Sequence, residues 1–141
     1  MTEIAFFDTN VLLYLFDQRE VLKREIARKT FSGYLESKNL RISTQVVQEF
    51  YSAATKKLGI PAYEAAAEVQ SLCGLEMVTV SRSEILRAID IRHRIQISFW
   101  DALLVSAAET AGATILFTED LTHGQRFGSI QIVNPFHALS S

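Results

Sequence analysis

Residues 4–17, IAFFDTNVLLYLFD, place the polar triplet Asp8, Thr9 and Asn10 between two runs of large apolar side chains. The run before Asp8 is short enough for a buried strand, and the run after it is typical of a buried helix. Because an isolated buried charge is costly, a carboxylate at such a junction either caps the helix or takes part in chemistry. The stretch predicts a strand leading directly into a helix, with Asp8 at the turn.

Similar apolar runs recur along the chain and alternate with helical patterns. Strands are predicted at Ile4–Phe7, Leu40–Ser43, Met77–Val80, Thr114–Phe117 and Ile130–Val133. Helices are predicted at Asn10–Phe16, Glu20–Glu36, Gln45–Leu58, Ala62–Cys73, Ser83–Arg94 and Phe99–Ala111. This alternation favours an α/β fold, in which a parallel sheet carries helices on both faces through right-handed crossovers.

The 141 residues suit one domain spanning positions 1–141, and the composition of 48% hydrophobic and 21% charged residues is that of a globular protein. No apolar run approaches the ~20 residues that span a bilayer, and no basic region precedes the apolar start. We therefore expect a cytoplasmic protein. Cys73 is the only cysteine, which excludes an intrachain disulfide and a cysteine-based zinc site; we expect its thiol to be buried.

The formal net charge of −2 argues at first against a polyanionic partner. However, neutralising four of the sixteen acidic residues in a metal site would leave a net charge of +2. Arg92, His93 and Arg94 would then form a local basic cluster. The composition therefore permits nucleic-acid binding without demonstrating it.

Two acidic residues follow predicted strands directly. Asp8 follows the first, and Asp120 comes soon after the fourth, in ILFTEDL. Ligands of parallel α/β sheets bind beyond the carboxyl ends of the strands, so both positions suit a site. Their convergence requires the first and fourth strands to be neighbours, which periodicity leaves open. Each residue alone could equally be structural, Asp8 as a helix cap and Asp120 as a turn residue.

Two further carboxylates lie on predicted helices. Asp101, in SFWDALLVSAAETAG, falls off the polar face of its helix, and a buried carboxylate needs a partner or a cation. It also stands three residues after Ser98, as in a capping box. Glu49, in STQVVQEFYSAATKK, lies at the margin of an apolar stripe, where a solvated edge residue is ordinary.

The four carboxylates together indicate a metal site more strongly than any one of them does alone. Like charges ~4 Å apart repel by ~4 kcal/mol at an effective dielectric of ~20, so a cluster at one sheet edge would destabilise the fold unless it were neutralised. A hard divalent cation neutralises such a cluster. Mg²⁺ or Mn²⁺ prefers carboxylate and water oxygens and leaves room for phosphate oxygens.

The chain resembles the PIN-domain ribonucleases, and in particular the VapC-like toxins of type II toxin–antitoxin pairs. The resemblance covers nearly the whole chain. It rests on FFDTNVLLY (6–14), QVVQEFY (45–51), SFWDALLVSAAETAG (98–112), ILFTEDLTHGQ (115–125) and IQIVNPF (130–136), in this order. It implies a Rossmann-like α/β/α sandwich with strand order 3-2-1-4-5, which would make the first and fourth strands neighbours.

The resemblance also implies a set of site residues. Catalytic and metal-binding roles fall on Asp8, Glu49, Asp101 and Asp120, and supporting polar roles fall on Thr9, Asn10, Thr118 and Glu119. Of the two adjacent acidic residues, Glu119 and Asp120, the family pattern favours Asp120 as the metal ligand and leaves Glu119 an outer or substrate-facing role. RNA-binding candidates, chosen as basic and aromatic side chains, are Arg82, Arg92, His93, Arg94, His123 and Arg126. Arginines at a helix C-terminus also suit the helix dipole.

The function implied is hydrolysis of RNA phosphodiester bonds with one or two Mg²⁺ or Mn²⁺ ions, by a toxin that inhibits translation. The implied partners are RNA, a cognate antitoxin and a second copy of the chain, and no membrane is involved. Two alternatives stay open: a non-catalytic binding module of the same fold, and a receiver-type phosphoacceptor domain. The second alternative fits less well, because FFDTN offers one acid and IVNPF no lysine.

Overall fold

The structure, a computed structural model, describes residues 3–140. Its strands are β1 (Ala5–Phe7), β2 (Leu40–Ser43), β3 (Met77–Val78), β4 (Ile115–Phe117), β5 (Arg126–Phe127) and β6 (Ile130–Val133). Within the described range they form one sheet in the order β3-β2-β1-β4-β6-β5. Every neighbouring pair is parallel except β5 and β6.

The helices are α1 (Thr9–Tyr14), α2 (Val21–Glu36), α3 (Thr44–Lys56), α4 (Ala62–Leu72), α5 (Arg82–Arg94) and α6 (Phe99–Thr110), and a 3₁₀ turn covers His137–Ser140. Their ends agree with the sequence predictions to within two residues. Helix α5 packs against α6, and α3 packs against both α1 and α4. The predicted α/β architecture, a mostly parallel central sheet flanked by helices, is confirmed. Between residues 3 and 140, no helix combines the length and apolar character needed to cross a membrane.

The strand order corrects one detail of the expectation. The five predicted strands occur in the predicted order 3-2-1-4-5, but the sheet has an additional edge strand, β5, which runs antiparallel to β6. A two-residue strand carries no periodicity, so the sequence pattern could not reveal it. A two-residue turn joins it to β6, with Gly128 at a φ of 59°, a conformation typical of tight hairpins.

The third strand is shorter than predicted. It ends at Val78 rather than Val80, and the backbone N–H of Val80 donates to Oγ1 of Thr44 at 3.0 Å. Helix α3 is capped by Ser43, whose hydroxyl accepts a hydrogen bond from the N–H of Val46. The expectation of a buried Cys73 was wrong. This residue ends α4 at the surface and its thiol is exposed.

The core lies on the sheet around β1, whose three residues are fully buried. Helix α6 is buried along seven consecutive residues, from Ala102 to Ala108. A helix buried all round leaves no polar face in its middle, so its polar groups are concentrated at its ends. Asp101 lies in the first turn of this helix, where its side chain is half-buried.

Candidate active site

The site begins where β1 and β4 end side by side. Phe7 is in register with Phe117, and the N–H of Asp8 donates to the carbonyl oxygen of Phe117 at 3.0 Å. The residue that follows β4 is Thr118, which is completely buried and donates its hydroxyl to Oδ2 of Asp8 at 2.7 Å. The first and fourth strands are therefore neighbours in the sheet, which the sequence pattern alone could not decide.

Asp8 is held in one orientation by three donors. Its Oδ1 accepts from the N–H of Thr9 at 2.7 Å, and its Oδ2 accepts from Asn10 Nδ2 at 3.2 Å in addition to Thr118. The residue precedes α1 and is its N-cap, so the capping interpretation is confirmed. Only 6% of Asp8 is exposed. Capping and participation in a site are compatible, because the remaining carboxylate lone pairs stay available.

Burial raises the pKa of Asp8 to about 7, despite the hydrogen bonds from Thr118 and Thr9, which favour the ionised form. The negative charges of Asp120 and Glu49 raise the pKa further. In the described chain, no lysine, arginine or histidine forms an ion pair with this carboxylate. Asp8 is therefore a buried acid that lacks the cation its ionised form requires.

Glu49 reaches the site from the exposed side of α3. Its Oε1 accepts from the hydroxyl of Thr9 at 3.0 Å, a contact that joins the second acidic position to the residue next to Asp8. The same hydroxyl lies 3.4 Å from the carbonyl oxygen of Val46. Thr9 thus orients Glu49 toward Asp8, and its supporting role in a catalytic site stays a prediction.

Asp120 lies in the turn after β4. Its backbone N–H donates to the Thr118 hydroxyl at 3.1 Å, while its side chain is exposed to solvent. Thr118 therefore contacts both Asp8 and the backbone of Asp120, and Asn10 Nδ2 lies 3.3 Å from the same hydroxyl. The threonine is the centre of the polar network, a role consistent with the supporting position predicted for it.

Asp101 approaches from the N-terminus of α6. The Ser98 side chain caps this helix by accepting from the Asp101 N–H at 3.0 Å. Burial raises the pKa of the Asp101 carboxyl, the Ser98 hydrogen bond opposes this, and the charge of Asp120 adds to the rise. Asp101 is therefore close enough to Asp120 to sense its charge, although it does not line the pocket described next.

An open pocket of about 370 Å³ contains most of these groups. It is lined by Asp8, Thr9, Asn10, Leu13, Glu49, Ser52, Ala53, Lys56, Lys57 and Asp120. Three of the four predicted acidic positions thus share one pocket. Within residues 3–140, however, no three histidine, cysteine, aspartate or glutamate side chains are close enough together to form a ready-made metal cage.

Glu119 turns away from this pocket. Its Oε1 accepts from the Tyr14 hydroxyl at 2.8 Å, and its Oε2 lies 3.4 Å from Nζ of Lys23, whose ammonium group stands over the Tyr14 ring. Burial raises the pKa of Tyr14, and its hydrogen bond to Glu119 raises it further. These contacts give Glu119 an outer position that fixes the turn next to Asp120.

The predicted RNA-binding residues lie elsewhere on the surface, and none of the six lines the pocket. Arg92, His93 and Arg94 form the exposed last turn of α5, and Arg94 lies 3.4 Å from Asp90. Arg82 begins α5, and Arg126 belongs to β5. His123 accepts from the Asn134 N–H and stacks on His137 with ring centroids 4.0 Å apart. RNA contact by these six residues stays a prediction.

The sequence interpretation missed two cationic residues that do line the pocket, Lys56 and Lys57. The signal available was their spacing on α3, since Lys56 follows Glu49 by seven residues and so lies on the same helix face. Two lysines at the end of a helix otherwise resemble an ordinary solvated C-terminus.

The family model for the PIN domain matches residues 5–125. The chain belongs to the PIN domain family. This match favours the nuclease class over the receiver-type alternative, and it includes all four acidic positions. No curated protein matches the sequence significantly.

Solved structures share the fold of this PIN domain. A toxin–antitoxin complex from Klebsiella pneumoniae superposes with a TM-score of 0.70 at 20% identity, covering 93% of this chain and 97% of the other. DNA-bound VapBC from Salmonella typhimurium gives 0.67 at 20% identity over 93% and 97%. VapC20 from Mycobacterium tuberculosis, described as a sarcin-ricin loop cleaving toxin, gives 0.58 at 18% identity over 79% and 86%. At these identities the likeness establishes the fold.

Proposed function

We propose that this PIN domain, spanning residues 1–141 as a single domain, is an endoribonuclease that hydrolyses RNA phosphodiester bonds with Mg²⁺ or Mn²⁺. One observation carries the proposal. Asp8 is buried at the junction of β1 and α1, lacks a cationic partner in the described chain, and faces an open pocket together with Glu49 and Asp120. A buried acid in a cleft, with its pKa raised toward neutrality, is typical of a functional site.

The donor set fits a hard divalent ion. The residues that would hold it are Asp8, Glu49, Asp101 and Asp120, all of which offer carboxylate oxygens. Asn10 Oδ1, beside them, is buried and has no hydrogen-bond partner among residues 3–140. Mg²⁺ characteristically keeps several waters and binds through one or two carboxylates plus substrate phosphate, so the lack of a three-ligand cage in residues 3–140 agrees with this chemistry.

One or two such ions would supply a water of lowered pKa and neutralise charge on the phosphate. The chain's own residues hold the carboxylates that would bind these ions. Thr118, Asn10 and the N–H of Thr9 fix the Asp8 carboxylate, and Thr9 fixes that of Glu49. Ordering donors of this kind typically change metal affinity or activity by about 10–100-fold when they are removed. No histidine lines the described pocket, so an imidazole base is not part of the proposal.

We further propose that the protein is the toxin of a type II toxin–antitoxin pair, acting on cytoplasmic RNA to inhibit translation and binding a cognate antitoxin as a homodimer. The support is the family together with the structural neighbours, among which are VapBC complexes and a toxin described as cleaving the sarcin-ricin loop. Because identity to these proteins is 17–20%, the RNA target does not transfer from them.

Sequencing of RNA 5′ ends after induced expression tests this function in cells. We expect new 5′ ends at a small number of sites and arrested growth for the wild type, and neither for Asp8→Asn. The same 5′ ends at the same frequency in Asp8→Asn would reject the assignment of the activity to this site.

A non-catalytic PIN module that binds nucleic acid or protein is the second candidate. It is favoured by the position of Asp101, which does not line the pocket that Asp8, Glu49 and Asp120 share. Titration calorimetry with MnCl₂ separates the two candidates. Saturable binding that is lost in Asp8→Asn supports the nuclease, and no detectable binding by the wild type supports the module.

A further inference from the structure

We infer that Lys56 and Lys57 each bind a backbone phosphate of the RNA strand, a short distance along the strand from the bond that is cleaved. This inference deepens the proposed function and rests on it. Both lysines line the same pocket as Asp8, Glu49 and Asp120, and both are exposed to solvent.

The path from the carboxylates to the lysines runs along one face of α3. This face presents Glu49, then Ser52 and Ala53, and then Lys56, at the spacing of successive helical turns. All four residues line the pocket. With a rise of about 1.5 Å per residue, Lys56 lies about 10 Å along the helix axis from Glu49. The residues between them are small, which leaves the wall open. A strand entering the pocket would therefore pass from the acidic end to the cationic end.

The charges of the pocket make this arrangement useful. Three carboxylates repel an RNA strand, and ions bound among them offset that repulsion only near the acidic end. Phosphate groups farther along the strand need their own cations, and lysine ammonium groups are flexible donors that bind phosphate as point charges. Lys56 and Lys57 are the two cationic side chains that line this pocket.

Within residues 3–140, several cationic side chains are held by acidic residues, but these two lysines are not. Arg87 pairs with Asp90 and Glu109, Lys23 pairs with Glu119, and Arg19 pairs with Asp17. In the described part of the chain, neither Lys56 nor Lys57 forms an ion pair. Their charges are therefore available to an anionic ligand.

The test is the salt dependence of RNA binding. A fluorescein-labelled single-stranded oligoribonucleotide of mixed sequence is titrated with protein at several KCl concentrations, and binding is followed by anisotropy. All proteins carry Asp8→Asn so that the RNA stays intact. The test protein adds Lys56→Gln and Lys57→Gln. The matched control adds Lys29→Gln and Lys38→Gln, which remove two exposed lysines outside the pocket.

Each lost phosphate contact on a single strand lowers the slope of log K against log salt by about 0.7. We expect the test protein to bind more weakly, with a slope shallower by about 1.4, and the control to keep the slope of the parent. A test slope equal to that of the control, or no RNA binding by the parent at low salt, would overturn the inference.

The experiments distinguish failure of the lysine contact from failure of the proposed nuclease function. Mg²⁺-dependent cleavage by wild-type Asp8 protein together with an unchanged test slope rejects the lysine contact and leaves the nuclease proposal standing. A shallower test slope without any cleavage by the wild type supports RNA binding and rejects the nuclease. Since both lysines are exposed, we expect all variants to melt within about 2 °C of their parent.

Discussion

Replacing Asp8 with asparagine should stabilise the metal-free protein at neutral pH while it abolishes cleavage of RNA. Burial raises the pKa of Asp8 to about 7, compared with its ordinary value of 3.8. A rise of about three units costs the folded state about 4 kcal/mol when the carboxylate is fully ionised, at about 1.4 kcal/mol per unit. Asparagine has nearly the same shape and never ionises.

Asparagine at position 8 keeps the cap and exchanges the other hydrogen bonds. Its Oδ1 can still accept from the N–H of Thr9, and asparagine is a good N-cap residue. Its amide nitrogen replaces the oxygen that accepts from Thr118 and Asn10, so the Asn10 amide must turn to offer its Oδ1, which has no hydrogen-bond partner within residues 3–140. The substitution therefore removes the buried charge at the cost of the hydrogen bonds to Oδ2.

The sign of the pH dependence follows from linkage. Because the folded-state pKa lies above the unfolded one, the stability contributed by the neutral acid is fully present below about pH 4 and is lost as the pH rises through 7. Between pH 5 and pH 8 the wild type should lose about 2–3 kcal/mol more than Asp8→Asn.

Urea denaturation of both proteins in EDTA, at pH values from 5 to 8, measures this difference. At pH 8 the variant should be the more stable by roughly 2–4 kcal/mol, and at pH 5 the two should be closer. Adding Mn²⁺ should stabilise the wild type and not the variant. A variant that is less stable than the wild type at pH 8, or a difference that does not change with pH, would refute this account of Asp8.

Three other substitutions separate acidic residues that stabilise the fold from acidic residues of the site. Glu84→Gln should destabilise the fold by about 2 kcal/mol at neutral pH without reducing cleavage, because the carboxylate accepts from Ser81 and Thr110 and so joins α5 to α6. Hydrogen bonds from Ser81 lower the pKa of Glu84 to about 2, so urea titrations should show the advantage of the wild type disappearing as the pH falls from about 4.5 to 2. In an assay that follows cleavage of a labelled single-stranded RNA, Glu119→Gln should retain activity within about threefold, and Asp120→Asn should lose about 10–100-fold. A Glu119→Gln defect as large as that of Asp120→Asn would move Glu119 into the site.

Most of the fold could be predicted from the sequence because its determinants are local. Short apolar runs predicted five strands, helical spacing predicted six helices, and Ser98 marked the start of α6. Strand β5 could not be predicted, because two residues carry no period. Cys73 was placed inside by the general preference of cysteine, whereas its position at the end of α4 leaves it exposed.

The site was predictable only in part, for a physical reason. The position of an acid after an apolar strand is visible in the sequence, so Asp8 and Asp120 could be expected at one sheet edge. Contacts between distant segments are not visible. The Tyr14 hydroxyl that draws Glu119 aside is 105 positions away from it in the chain. Similarly, Lys56 and Lys57 become pocket residues only when α3 is packed beside α1.

The central claim is that the pocket around Asp8 cuts RNA with a divalent ion. It is tested most directly by incubating purified wild-type protein and Asp8→Asn with a labelled single-stranded RNA across a series of Mg²⁺ concentrations, with EDTA as the blank. The account predicts cleavage by the wild type that rises and saturates with Mg²⁺, and background levels for EDTA and for the variant. Equal cleavage by the two proteins, or cleavage by the wild type undiminished in EDTA, would contradict it.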